Sequence, residues 1–220
     1  MKRETLLNII RSLLDRLATV EFYGLEHIPP KGGVIIATNH LSRLDIPFLF
    51  INPVRSDITA LVADKYRAYL FFHFIIKTAG GIYIDRSKAD FTAFRAALDA
   101  LRQGRALGIS PEGTRSISGQ LLEGKSGTVL LAEKGNVPII PVGLTGTEGG
   151  FTKILTLQHP HLVARFGPMF RLPPVSREHR DEDLKRNTDE VMLRIAALLP
   201  ERYRGFYANH PRLGQYLASI

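Results

Sequence analysis

Short apolar runs alternate with stretches of helical periodicity along most of this chain, and that alternation constrains its fold more than any other feature. Strand-like runs lie near Val34 to Thr38, Ile58 to Ala63, Ile82 to Ile84, Ala106 to Ile109, Val137 to Val142 and His161 to Phe166. Helical patterns fall between several of them, at Ile46 to Ile51, Tyr66 to Lys77, Ala89 to Gln103 and Thr128 to Lys134, with a last one near Glu182 to Leu199. Strands alternating with helices predict an α/β fold, with a layered mixed or mostly parallel sheet and flanking helices. In such sheets a ligand sits beyond the carboxyl ends of the strands. The residues just past those ends are therefore the first place to look for chemistry.

The richest of these junctions is Asn39-His40-Leu41-Ser42-Arg43-Leu44-Asp45. His40 follows the apolar run that starts at Val34, and a helical pattern opens at Ile46. An imidazole can take a proton near neutral pH. A carboxylate beside it can hold the ring in one tautomer and stabilise the cation that forms. His40 and Asp45 thus read as a base and its orienter. The plainer reading is a polar turn that caps a helix, with Ser42 or Asp45 as N-cap.

Further segments weigh on the choice. Gly80-Gly81-Ile82-Tyr83-Ile84-Asp85-Arg86-Ser87 is a short strand ending in a charged pair. Ser110-Pro111-Glu112-Gly113-Thr114-Arg115-Ser116 follows the run ending at Ile109. Val137-Pro138-Ile139-Ile140-Pro141-Val142-Gly143 is apolar and bracketed by prolines. In this order, from about residue 20 to about residue 170, the segments resemble the four sequence blocks of the glycerolipid acyltransferase family. Its first block is Asn-His with Asp five residues after the His. Its second carries Gly and an Asp-Arg pair, its third is Pro-Glu-Gly-Thr-Arg, and its fourth is an apolar Val-Pro-Ile run.

The resemblance implies direct acyl transfer from a thioester to a lipid hydroxyl. His40 would be the general base and Asp45 its orienting partner. Arg86 and Arg115 would bind the acceptor's phosphate, a task that suits the bidentate guanidinium. Glu112 would contact the acceptor's glycerol hydroxyls, while Gly113 and Thr114 let the backbone come close. Lys125 and Gly127 match a Lys-x-Gly step that follows the third block. Two departures stand out: Gly124 replaces an aromatic residue before that lysine, and Ser110 replaces the usual Phe before Pro111. Ser42, so close to His40, reads as a turn residue rather than a nucleophile.

Composition narrows the alternatives. The 220 residues hold no cysteine, which removes disulfides, thiolate ligands and a cysteine nucleophile. A net charge of +8 suits an anionic partner. The basic residues are scattered and no zinc finger or RNA-binding strand set is present, so no nucleic-acid partner is expected. Gly119-Gln120-Leu121-Leu122-Glu123-Gly124-Lys125-Ser126 fits the P-loop pattern. A P-loop follows its strand directly, however, and here the strand ends near Ile109, too early for that arrangement. His159 and His161 sit two apart with no carboxylate cluster around them in the sequence, His27 and His73 read as structural or exposed, and no metal is expected.

No stretch reaches the roughly 18 apolar residues of a spanning helix. Arg11 and Asp15 break what would otherwise be a signal-peptide core. Leu6, Leu7, Ile10, Leu13, Leu14 and Leu17 recur at helical spacing in a basic segment, which predicts an amphipathic N-terminal helix from Lys2 to Val20. Such a helix either lies in a membrane interface or packs on its own domain. The run Tyr69 to Ile76, flanked by Arg67 and Lys77, is apolar on nearly every face, so it is either deeply buried or partly in lipid. The expected organisation is that helix over residues 1–20, an acyltransferase domain over 21–200 and a C-terminal tail over 201–220, with Arg171 to Val175 as a connector. The expected protein works peripherally on the cytoplasmic face of a membrane. It acylates lysophosphatidic acid to phosphatidic acid, with acyl-CoA or acyl-carrier protein as donor and no cofactor. Two other acceptors fit the same chemistry, a different lysophospholipid or an amino-acid lysolipid. A reading of another class is a lipid-binding protein that keeps the fold without catalysis, against which the intact His40 and Asp45 argue.

Overall fold

A computed structural model describes residues 1–218. Its centre is a seven-stranded mixed sheet in the order β1-β7-β6-β2-β5-β3-β4. The strands are β1 (Thr19–Tyr23), β2 (Val34–Thr38), β3 (Thr59–Ala63), β4 (Ile82–Ile84), β5 (Ala106–Ile109), β6 (Ile139–Thr145) and β7 (His161–Phe166). From β6 to β4 neighbouring strands run parallel, whereas β7 is antiparallel to β6 and β1 runs parallel to β7. The carboxyl ends of β6, β2, β5 and β3 therefore stand side by side at one edge, as a parallel sheet requires.

Every residue of β2 is buried, because both faces of the sheet are covered. Val34 and Ile36 join one core, and Ile35 and Ala37 join the other, as the two-residue period of a strand dictates. On the first face lie α1 (Arg3–Leu17), α2 (Asp45–Phe50), α3 (Leu70–Thr78) and α6 (Gly150–Leu155). On the second lie α4 (Phe91–Arg102), α5 (Gly127–Gly135), α7 (Arg180–Ala197) and α8 (Leu213–Leu217). Gly143 on β6 has no room for a side chain: a Cβ there would come within 2.9 Å of Leu198, just past α7. At the edge away from the carboxyl ends, buried Arg55 pairs with Asp57 and donates to the carbonyls of Pro29, Gly32 and Gly104.

Several elements depart from the sequence expectations. The N-terminal helix stops at Leu17, and Thr19–Tyr23 forms the edge strand β1 because its backbone finds a ladder partner in β7. The helix packs on its own domain: Leu6, Leu7 and Leu14 enter the core, leaving Ile9 and Leu13 outside. Arg3 fastens its start, donating to the carbonyls of Ser56, Ile58 and Ala79. The helix expected over Tyr66 to Lys77 is split by extended Tyr69 into a 3-10 turn over Asp64–Ala68 and α3. The strand expected from Val137 begins two residues later and runs on to Thr145. Beyond α7, Tyr203, Tyr207 and Leu213 are buried in the second core.

Candidate active site

The chain leaves the sheet after Thr38, and Asn39 controls how it leaves. The Asn39 side chain donates to the Leu144 carbonyl at 2.9 Å and accepts from the Leu144 N–H at 2.8 Å. It thus takes the place of a strand residue and frees the main chain to turn. His40 follows in the gap between the ends of β2 and β5. Its N–H donates to Glu112 Oε1 at 2.8 Å, and its carbonyl accepts from the Ser116 N–H at 2.9 Å. The third sequence block therefore grips the main chain of the first on both sides of the histidine.

The His40 ring donates from Nδ1 to Asp45 Oδ2 at 2.8 Å. That carboxylate oxygen also accepts from the N–H groups of Leu41 at 2.8 Å and Ser42 at 2.9 Å. The second oxygen accepts from Thr147 Oγ1 at 2.5 Å. With both oxygens engaged, buried Asp45 cannot swing away from the ring. A carboxylate can only accept, so the proton on Nδ1 is fixed and Nε2 is left as the basic nitrogen. Ser42 Oγ accepts from the Leu44 N–H at 2.9 Å, the expected turn role. The N-cap position of α2 is Leu44, without a side-chain cap bond, so the plain helix-capping reading of this segment is not realised.

Glu112 is 1% exposed and turned inward. Its second oxygen accepts from the Leu122 N–H at 2.9 Å, so each oxygen holds a main-chain amide. Burial pushes this carboxyl up to about 7, against the pull of those two hydrogen bonds. This arrangement holds the His40 loop. The resemblance assigns Glu112 to the acceptor's hydroxyls; here the carboxyl is buried behind the His40 loop.

The Pro111–Arg115 turn closes at Gly113, whose φ of +70° belongs to the left-handed region that glycine enters freely. Lys125 lies across this turn; a Cβ on Gly113 would sit 3.4 Å from its Nζ. Thr114 and Arg115 point to solvent. Arg86, just past β4, feels the Arg115 charge. Desolvation lowers the pKa of its guanidinium, Tyr66 opposes this and Arg115 lowers it further, although the residue is exposed. Asp85 is engaged with Ser87 and Lys88 rather than with Arg86. Among the described residues neither Arg86 nor Arg115 has a hydrogen-bond or carboxylate partner. Two uncompensated guanidinium groups near one another are what an anionic ligand would neutralise.

Thr147 carries no signal in the sequence; it is buried and donates to the Asp45 carboxylate. The P-loop-like segment is no phosphate cradle. Its amides point inward: Leu121 to the Tyr203 carbonyl, Leu122 to Glu112, Gly124 to Tyr207 Oη and Lys125 to the Pro111 carbonyl. Among the described residues no three His, Asp or Glu side chains converge as a metal site would require.

A His-Asp pair thus stands at the carboxyl edge of a mixed sheet, near two arginines that have no carboxylate partner among the described residues. The acyltransferase family profile matches residues 19–145. The chain belongs to this acyltransferase family. It is 33% identical over 132 residues to a 1-acyl-sn-glycerol-3-phosphate acyltransferase of Borreliella burgdorferi, covering 59% of this chain and 52% of that protein. It is 36% identical over 140 residues to the enzyme of that name from Saccharomyces cerevisiae, covering 59% of this chain and 44% of the yeast protein. The chain thus spans about half the length of these curated relatives. The fold resembles the crystal structure of the 1-acyl-sn-glycerophosphate (LPA) acyltransferase PlsC from Thermotoga maritima. That match has a TM-score of 0.63 and 24% identity, over 86% of this chain and 80% of that one.

Proposed function

We propose that this protein transfers a fatty acyl group from an acyl thioester to the free hydroxyl of lysophosphatidic acid, giving phosphatidic acid. Nε2 of His40 takes the hydroxyl proton as the oxygen attacks the thioester carbonyl. Asp45 stabilises the imidazolium that forms. The tetrahedral intermediate then collapses with loss of the C–S bond, and the leaving thiolate takes the proton back from His40. Nothing is covalently held by the enzyme at any step, which suits a chain with no cysteine and a Ser42 already committed to its turn. Arg86 and Arg115 bind the acceptor's phosphate, Lys125 adds positive charge over the Gly113 turn, and Gly113 and Thr114 let the acceptor approach the main chain. Glu112 works through His40, by fixing its main chain.

The observation that carries this reading is the 2.8 Å bond from His40 to a fully engaged Asp45, with two unpaired arginines in the neighbouring loops. The same phosphate site would serve another lysophospholipid, whereas an amino-acid lysolipid without phosphate would leave the arginines idle. The donor is acyl-CoA or acyl-carrier protein. The protein works peripherally on the cytoplasmic face of a membrane, where such thioesters are made; among the described residues no helix is long and apolar enough to cross a bilayer. An acyl-transfer screen over a panel of lysolipids, run with each donor, tests the proposal. Lysophosphatidic acid should give the highest kcat/KM. Preference for a phosphate-free acceptor would contradict it.

A further inference from the structure

The strand order sets two apolar helices on either side of His40. Its strand, β2, lies between β6 and β5, and β3 follows β5. Helix α6 begins shortly after the carboxyl end of β6, and the turn leading into α3 begins directly after β3. Both helices face the same core, against which Ile75 of α3 and Ile154 of α6 pack and to which Leu44 belongs. They meet the site itself: a Cβ on Gly150, the first residue of α6, would lie 3.1 Å from Leu44 in the His40 loop, and Arg43 of that loop lies over the Tyr66 ring before α3.

Among the described residues the outer faces of these helices have no partner. Helix α3 is apolar nearly all round, a composition that calls for burial, yet none of its residues is buried. Leu70 is 87% exposed, Phe71 71% and Leu155 71%, with Phe74, Phe151 and Leu157 also exposed. Exposed apolar groups at this density mark an interaction surface. The charged residues next to them in sequence are mostly basic. Lys65, Arg67 and Lys77 lie beside or in α3 with Asp64 as the one acidic residue from 64 to 84, and Lys153 lies in α6, which Glu148 precedes. Exposed apolar side chains with basic residues among their neighbours suit an anionic lipid surface. A protein seated on both patches would cover the entrance to His40, whereas a bilayer delivers a lipid hydroxyl through the gap between them.

We propose that α3 and α6 form a two-part footprint on anionic membranes that straddles the His40 entrance, and that α1 takes no part in docking. This rests on the reading of the acceptor as a lipid. The test is sedimentation with phosphatidylcholine vesicles that contain phosphatidylglycerol, without acceptor or donor, so that it reads docking apart from turnover. The wild-type protein should bind these vesicles more tightly than pure phosphatidylcholine. Binding should weaken with salt without vanishing, because salt screens the cations and not the apolar term. Leu70→Ser with Phe71→Ser, and separately Phe151→Ser with Leu155→Ser, should each weaken binding about tenfold or more. Ile9→Ser with Leu13→Ser, on the exposed side of α1, should leave it unchanged.

A second measurement does not depend on how those variants fold. The chain has no cysteine, so Leu70→Cys and Leu155→Cys can each carry one environment-sensitive fluorophore. Both labels should shift to the blue on adding the vesicles, while a label at Ile9→Cys should not. Wild-type binding retained by either serine pair, or a blue shift at Ile9 without one at Leu70 and Leu155, would overturn the proposal. A wild-type dimer that ignores vesicles and dissociates on the α3 changes would also overturn it, by showing this face to be an interface between copies.

Discussion

Thr147 Oγ1 donates to Asp45 Oδ1 at 2.5 Å, tying the loop after β6 to the start of α2 across 102 residues of sequence. The bond holds Asp45 Oδ1, which the His40 loop reaches only through Ser42 Oγ at 3.5 Å. Thr147→Val keeps the shape and deletes the donor. A hydrogen bond to a charged group contributes about 1.5–3 kcal/mol. If the bond serves to aim the imidazole, kcat should fall about tenfold with little change in either KM, and Thr147→Ser should restore most of it. Full activity in the valine variant would mean that the main-chain donors of Leu41 and Ser42 suffice.

The C-terminal turns brace the same machinery from behind. Tyr203 donates from its hydroxyl to Glu148 at 2.5 Å and accepts the Leu121 N–H on its carbonyl at 2.8 Å. Glu148 adjoins Thr147, and Leu121 adjoins the Leu122 amide held by Glu112. Tyr203→Ala should cost about 3–5 kcal/mol in urea unfolding, as expected for emptying a buried aromatic site. Tyr203→Phe should cost about 1 kcal/mol and lower kcat a few-fold at constant KM. A Phe variant less stable but with unaltered kcat would make this segment a support for folding alone.

Arg86→Ala and Arg115→Ala address the acceptor. Each charge-assisted contact is worth about 1.5–3 kcal/mol, so each change should weaken apparent acceptor affinity roughly ten- to a hundredfold and leave donor KM nearly constant. Titration of each variant with lysophosphatidic acid at saturating donor checks this. Equal losses for donor and acceptor would transfer these arginines to the donor's phosphates.

Glu112 gives a pH signature. Its carboxyl ordinarily titrates near 4.5, and burial in the fold raises it to about 7. Below 4.5 it is protonated in both folded and unfolded chains. Between 4.5 and about 7 the folded chain keeps a proton that the unfolded chain has lost, so stability falls as pH rises through this window and levels off above it. The difference amounts to roughly 3 kcal/mol. Urea unfolding of wild type and Glu112→Gln at several pH values isolates it. The wild type should lose stability relative to the glutamine variant from pH 4.5 to about 7. Parallel curves would show that Glu112 is ionised throughout.

How far these features could be read from the sequence depended on whether the partners were local. His40 and Asp45 were legible because one short junction holds both, and the strand ends that carry Arg86 and Glu112 followed from apolar runs. Thr147 was not, since nothing near it in sequence says that it will meet a carboxylate 102 residues away. The inward turn of Glu112 was equally hidden, because its partners are main-chain amides that any residues could supply. The periodicity of α1 revealed an apolar stripe but not what the stripe meets, and Leu6, Leu7 and Leu14 meet the protein's own core. Strand β1 escaped because Thr19 and Val20 extend the helical pattern, and only the ladder with distant β7 makes them extended.

The central claim is that His40 takes the acceptor's proton in acyl transfer to lysophosphatidic acid. The most direct measurement is the rate of phosphatidic acid formation by wild type and His40→Ala, with acyl-CoA and with acyl-carrier protein, on protein shown by urea unfolding to be equally folded. Loss of a positioned general base removes about a hundred- to ten-thousandfold in rate. The account predicts a fall of that size in kcat, with acceptor binding kept. Folded His40→Ala that makes phosphatidic acid at close to the wild-type rate would contradict it.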